Sequence, residues 1–374
     1  MPPLVIDIRK ADDLRDAVHR AVQELAEGRI VAFPTETVYG FAASAHCEQS
    51  VASLFELKGR STAQPLTLAV KSADEALDYV PDMSPLAHRL ARRCWPGPIT
   101  LVVDARHPDS LAARLPDTVR QAVMPQGTLG LRVPAHNTVT DVLQMMPGPI
   151  ALTSANLSGK PDATCADPIR DGFGDRVSLI LDDGPTRYGQ PSTVVQVDGK
   201  LLRILREGVV PEATVRRLSS LMVLLVCTGN TCRSPMAEVL TRNLIAQRLG
   251  CDMQQLDDRG VIVMSAGLAA MAGGRPTPEA VHVMNDMGLA LDDHASQPLT
   301  EQLVRHADRI FTMTAAHRAA IVETWPDAAQ RTELLRRDDQ DVTDPIGGTI
   351  DIYRRCAEQI RIELGSRIND LELT

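Results

Sequence analysis

Aromatic residues are scarce in this chain, at 3% of 374 positions. That excludes the aromatic stacking platforms on which many proteins bind single-stranded nucleic acid. Positive charge is not in excess either. The net charge of −9, most of it in the second half, excludes a bulk-basic nucleic-acid binder. No apolar run approaches the roughly 18 residues of a membrane span, and the opening Met-Pro-Pro-Leu-Val-Ile-Asp lacks the charged-then-apolar pattern of a secretory leader. Seven cysteines are an odd number, scattered without paired spacing except at Cys227 and Cys232. They argue against a disulfide framework and for a reducing compartment, so the expected location is the cytoplasm, with no membrane partner. His19, His46, His88 and the other histidines show no metal-ligand spacing, so no metal site and no histidine role is expected.

What is present is an α/β pattern long enough for two domains, expected at 1–212 and 221–374. Glu212 to Ser220 reads as a join without a long flexible run. The most informative stretch runs from Val223 to Pro235. Val223-Leu224-Leu225-Val226 is a short apolar run that reads as a buried parallel strand, and it ends on Cys227 at the start of a Gly-containing turn. Ser234 is expected to cap a helix with Pro235 at its first helical position, Met236, Leu240 and Leu244 on its apolar stripe, and Gly250 at its end. A strand, loop and helix in that order leave unpaired amide N–H groups and a positive helix end around the loop, a cradle for a phosphate-sized anion. Cys227 in such a field should ionise readily to a nucleophilic thiolate. Arg233, six positions on, can clamp two phosphate oxygens with its planar fork.

Val-Cys-Thr-Gly-Asn-Thr-Cys-Arg-Ser-Pro-Met-Ala-Glu, residues 226–238, resembles the low-molecular-weight protein tyrosine phosphatase family, and most of all its bacterial branch that acts on phosphoarginine. The resemblance implies that Thr228, Gly229, Asn230, Thr231, Cys232 and Ser234 bind phosphate, with Ser234 steadying the thiolate and Asn230 holding the loop. It also implies that Asp344, on Asp344-Pro345-Ile346-Gly347-Gly348, is the proton donor, with Asp341 a surface charge. Strands and helices alternate after Gly250, which fits a doubly wound parallel sheet. The implied fold has four parallel strands and needs no cofactor. Thr231, small and polar where tyrosine phosphatases usually carry a larger aliphatic residue, and Ile346 in place of an aromatic favour phosphoarginine on proteins. Phosphotyrosine is the alternative. Cys232 is close enough to Cys227 in sequence for a reversible disulfide, with plain loop packing the other reading. Arsenate reduction would need relay cysteines, and Cys356 lies instead on an apolar helical stripe with Tyr353, Ile360 and Leu364.

The first half offers polar clusters at strand ends, where open α/β sheets place ligands. The strand Ile30 to Phe33 runs into Pro34-Thr35-Glu36-Thr37-Val38-Tyr39-Gly40, and Ile150 to Thr153 runs into Ser154-Ala155-Asn156-Leu157-Ser158-Gly159. Between them lie Lys58-Gly59-Arg60-Ser61-Thr62, Trp95-Pro96-Gly97-Pro98 and the strand Thr128 to Pro134 with its one arginine. Pro191-Ser192-Thr193 and Ile204-Leu205-Arg206-Glu207-Gly208 follow. About seven strands in a mixed α/β domain are expected, with Asp12 capping the first helix.

These clusters in this order resemble the YrdC-like family of threonylcarbamoyl-AMP synthases and imply its mixed, twisted sheet. The implied reaction takes L-threonine, bicarbonate and ATP, with Mg2+, to threonylcarbamoyl-AMP and pyrophosphate, for transfer to tRNA by later proteins. Threonine would meet Thr35, Arg132, Ser154 and Ser192. ATP would meet Lys58, Arg60, Thr62, Thr128, Asn156, Thr164 and Arg206. Many members read Lys-x-Arg-Pro-x-x-Asn-Pro-Leu with a His on the next strand, where this chain has Ser61, Gln64 and Ala69. An RNA-binding module without synthase activity is the alternative for this half.

Overall fold

The computed structural model describes residues 3–59 and 64–373 and divides into two compact units, one ending at Val215 and the other beginning at Arg216. The boundary falls within the short helix Glu212–Ser219, where the sequence reads as a join.

The first unit is built on a ten-stranded mixed sheet. In spatial order its strands are Leu4–Asp7, Leu179–Asp182, Val31–Phe33, Gly40–Ser44, Ile150–Ser154, Thr67–Ala69, Thr128–Arg132, Ile99–Asp104, Thr193–Asp198 and Leu201–Arg206. The expectation of about seven strands missed Leu4–Asp7, Gly40–Ser44 and Leu179–Asp182. The first and last pair in parallel, Leu4 opposite Leu179, across most of the unit's length in sequence, so each is stabilised by a partner that no local pattern reveals. Helix Leu14–Ala26 is capped by Asp13 rather than Asp12, its carboxylate accepting from Arg15 N at 2.9 Å. Its Val18, Ala21 and Leu25 pack with Val139, Val142 and Leu143 of helix Asn137–Met145 over Val31, Phe33 and Leu179 of the sheet.

The second unit holds four strands in the order Val261–Gly267, Leu221–Cys227, Arg309–Thr312, Thr332–Leu334, every neighbouring pair parallel. Strand side chains alternate between faces. Val223, Leu225 and Cys227 join one core with helices Arg233–Leu249, Pro278–Asp286 and Ile350–Asn369, whereas Leu224 and Val226 join a second core with Val304, Ile310 and Ile321. Both faces of Leu221–Cys227 are thus covered, which is why that strand is an unbroken apolar run. Helix Arg233–Leu249 begins two residues earlier than expected. Ser234 lies inside it and leaves the capping role unfilled, because its hydroxyl is turned to the preceding loop.

Candidate functional site

In the second unit the central strand delivers Cys227 to the carboxyl edge of the sheet. The loop after it doubles back so tightly that Asn230 N donates to Cys227 Sγ at 3.3 Å. Asn230 makes that turn with φ of 54°, a left-handed conformation that asparagine tolerates better than most residues. Its side chain fastens the loop: Nδ2 donates to Ser234 Oγ at 2.9 Å and Ser265 Oγ at 2.8 Å, while Oδ1 accepts from Gln297 N at 2.9 Å. Ser234 Oγ in turn lies 2.9 Å from Cys227 Sγ. Ser265 Oγ donates onward to Glu238 Oε2 at 2.6 Å, and burial holds that carboxyl above the usual range. Leu268 N and Ala269 N donate to the carbonyls of Cys227 and Thr228, and a Cβ added at Gly267 would sit 2.5 Å from Thr228 O. The glycine is what allows the two backbones to approach.

Arg233 is buried, with Nη1 donating to Val342 O at 3.2 Å and Nη2 to Asp344 Oδ2 at 2.5 Å. Cys227, Arg233 and Asp344 therefore gather at one site, ringed by the loop residues 228–232. Asp341 is exposed and accepts from Ala315 N at 2.8 Å. Cys232 Sγ is buried 3.5 Å from Tyr353 Oη, and all seven cysteines are free thiols. Burial pushes the Cys356 thiol up to about 12, as befits a packed core residue.

Two histidines given no role by the sequence touch this loop. His294 Nε2 lies 2.9 Å from Asn230 O, and His317 Nε2 lies 2.9 Å from Thr228 Oγ1. Burial, and then the nearby Arg233 charge, push the His317 imidazole down to about 4, so it is neutral at pH 7. Neither histidine has a local spacing signal; each reaches the loop from a distant helix or turn.

In the first unit the strand ends converge on a cavity of about 940 Å³. Thr35, Arg132, Ser154, Ser192, Lys58, Thr128, Asn156 and Arg206 all line it. Thr164 does not: it is exposed, its carbonyl accepting from Thr186 N at 2.8 Å. Arg60, Ser61 and Thr62 lie outside the described residues. Gln64 lines the cavity, while Ala69 is buried beside Arg132 in the strand pairing.

The cavity's side chains hold one another in place. Lys58 Nζ donates to Ser154 O at 2.7 Å and Asn156 Oδ1 at 2.5 Å. Thr35 Oγ1 donates to Val38 O at 2.6 Å, and Arg206 Nη2 donates to Ser192 O at 2.8 Å. Arg132 Nη2 donates to Glu36 Oε1 at 2.8 Å and Thr37 Oγ1 at 2.9 Å, and its Nε donates to Gly97 O. Glu36, whose other carboxylate oxygen accepts from Ala135 N, is a buried partner the sequence did not assign; its carboxylate in a hydroxyl-rich turn was the available signal. Among the described residues five cations line this space against a single carboxylate, Asp162, so the cavity suits a polyanion. Among the described residues no cluster of three or more His, Cys, Asp and Glu could hold a metal ion, and no helix is long and apolar enough to cross a membrane.

The Sua5, YciO and YrdC family, described as telomere recombination, matches residues 23–208, and the low molecular weight phosphotyrosine protein phosphatase family matches residues 222–372. The chain is 36% identical over 194 residues to a threonylcarbamoyl-AMP synthase of Pyrococcus abyssi, covering 52% of this chain and 54% of that protein. It is 33% identical over 224 residues to the Rattus norvegicus threonylcarbamoyl-AMP synthase, covering 58% of this chain and 75% of that one. The chain thus spans about half the length of the first relative and three quarters of the second. Among solved structures, Pyrococcus abyssi Sua5 complexed with L-threonine is 24% identical, with a TM-score of 0.52 over 70% of this chain and 92% of that one. The YwlE arginine phosphatase from Geobacillus stearothermophilus is 32% identical over 40% of this chain and 93% of that one, with a TM-score of 0.35. By its identity across three quarters of the rat protein, the chain belongs to the threonylcarbamoyl-AMP synthase family, and its residues 222–372 match the low molecular weight phosphotyrosine protein phosphatases.

Proposed function

We propose that the chain is a bifunctional enzyme, with a synthase domain at 1–212 and a phosphatase domain at 221–374. The first would convert L-threonine, bicarbonate and ATP into threonylcarbamoyl-AMP and pyrophosphate, supplying tRNA-modifying transfer proteins. The cation-rich cavity carries this reading. Arg132, braced by Glu36, would pair the threonine carboxylate, with Thr35, Ser154 and Ser192 offering hydroxyls to the amino acid. Lys58, Thr128, Asn156 and Arg206 would hold the nucleotide and balance charge as pyrophosphate leaves, joined by Arg60 and Thr62 from the family pattern, while Thr164, which does not line the cavity, is left out of this set. A magnesium ion would arrive on the phosphates, which suits a cavity lined by one carboxylate among the described residues. Threonine-dependent and bicarbonate-dependent ATP–pyrophosphate exchange tests this half. Binding of RNA without exchange would overturn it.

In the second domain Cys227 would attack phosphorus in line, forming a phosphocysteine while the loop amides and Arg233 hold the oxygens. Asp344 would protonate the leaving group, then take a proton from the water that hydrolyses the intermediate. The contact between Cys227 and Ser234 supports this, because a hydroxyl at 2.9 Å can donate to a thiolate. Thr231 and the exposed Ile346 favour phosphoarginine in proteins as substrate. Side-by-side hydrolysis of phosphoarginine and phosphotyrosine peptides decides between them. Equal or faster turnover of phosphotyrosine would overturn the preference, and phosphate release by Cys227→Ser would overturn the phosphatase assignment. The free thiols suit a cytoplasmic protein.

A further inference from the structure

The cavity in the first unit holds two kinds of cation. Lys58, Arg132 and Arg206 are engaged by Ser154 and Asn156, by Glu36, and by Ser192 respectively. Lys160 and Arg203 line the same space, yet the ammonium of one and the guanidinium of the other make no hydrogen bond or ion pair with any described residue. Glu36 offsets the charge of Arg132, and Lys58 and Arg206 have donors committed to protein oxygens, whereas Lys160 and Arg203 keep their donors for an incoming anion.

The fold places both deliberately. Asn156 Nδ2 donates to Lys160 O at 2.5 Å, while its Oδ1 accepts from Lys58 Nζ, so one amide sets the backbone of Lys160 and the side chain of Lys58. Arg203 stands opposite Gln196 in the hairpin of Thr193–Asp198 and Leu201–Arg206, and both side chains face the cavity. Leu205, two residues on, shares that face. In a regular strand Arg206 would point away, but the register shifts between Ile204 and Arg206, so it reaches the cavity as well. The bulge therefore brings two arginines of one edge strand into a single recess.

We propose that Lys160 and Arg203 form a subsite for the terminal phosphates of the nucleoside triphosphate, and so for the pyrophosphate released from it. This rests on the synthase reading above. In that reaction an oxygen derived from bicarbonate attacks the α-phosphorus. The bond from that phosphorus to the oxygen bridging to the β-phosphorus breaks, and its electron pair leaves on pyrophosphate. Charge accumulates on the departing group, where two unengaged cations neutralise it, and the fork of Arg203 can take two oxygens at once. AMP and threonine lack the β- and γ-phosphates that this subsite would hold.

The test titrates the full chain with inorganic pyrophosphate, AMP, L-threonine and tRNA by calorimetry, comparing wild type with the double variant Lys160→Ala, Arg203→Ala. Both side chains are exposed, so the variant should fold normally, which circular dichroism checks. Pyrophosphate affinity should fall roughly ten- to a hundredfold, with AMP and threonine affinities unchanged. Unchanged pyrophosphate affinity, an equal loss for AMP, or loss of tRNA binding with pyrophosphate binding intact would each overturn the subsite. Persistence of threonine-dependent exchange alongside unchanged pyrophosphate affinity would sink the subsite alone. Selective loss of pyrophosphate binding in a protein that shows no exchange would sustain the subsite and sink the synthase reading.

Discussion

Arg233 Nη2 donates to Asp344 Oδ2 at 2.5 Å across 111 residues of sequence. The proposed anion clamp and the proposed proton donor are thus paired with each other, and in the proposed mechanism a phosphoryl group would compete with Asp344 for the same guanidinium. In the proposed mechanism Asp344→Asn should slow turnover of phosphoesters with poor leaving groups by about a hundred- to ten-thousandfold. KM for the same substrates should not rise, because Arg233 is freed for phosphate. Steady-state kinetics across leaving groups of graded acidity measure both, and a uniform loss regardless of leaving group would contradict the assigned role.

Asn230 combines a left-handed backbone with a buried, fully used side chain. Asn230→Ala loses the hydrogen bonds and keeps the strained φ, whereas Asn230→Gly loses the bonds and relieves the φ. The glycine variant should therefore be the more stable by about 1 kcal/mol, measured by urea denaturation of the second unit, and both should lose phosphatase turnover.

His317 provides a pH signature. Its folded-state imidazole sits at about 4 against an ordinary value of 6.5, chiefly through burial and then through Arg233, with Asp341 and Asp344 opposing. Because the folded value is depressed, the contribution to stability is complete above pH 6.5 and is lost as pH falls from there towards 4. Thermal denaturation between pH 7 and pH 4.5 should show wild type losing more stability than His317→Asn. The His317 ring resonances should show no titration near pH 6.5 in the native protein.

Glu36 and Arg132 form a buried ion pair in the first unit. Glu36→Ala leaves a guanidinium without its counter-charge and should cost about 3–5 kcal/mol. Glu36→Gln keeps an acceptor for Arg132 Nη2 and should cost less. Denaturation followed by the fluorescence of buried Trp95, in a Trp325→Phe background, reads the first unit specifically.

Gly267 gives a prediction from close approach. Gly267→Ala would place a methyl 2.5 Å from Thr228 O and 2.9 Å from Asn230 N, so the loop after Cys227 must shift. Phosphatase turnover should fall while pyrophosphate exchange by the first unit stays unchanged, measured on the same preparation.

Features written into a few consecutive residues were legible without coordinates. Cys227 and Arg233 are six apart, and a strand followed by a Gly-containing loop and a helix can bring them together in few ways, so the loop was readable from spacing alone. The polar clusters at strand ends were readable for the same reason, since a buried strand that stops at several hydroxyls and a charge has a site at its end. Contacts across large separations were decided only by the tertiary structure: Glu36 with Arg132 at 96 residues, Thr228 with His317 at 89, and Leu4 with Leu179 in parallel register. Their partners are chosen by which strands lie side by side and which faces become buried. Short strands such as Leu4–Asp7 carry too little pattern of their own to announce that choice, and Ser234 follows the same logic, since its sequence suits a helix cap while the fold turns its hydroxyl to the sulfur of Cys227.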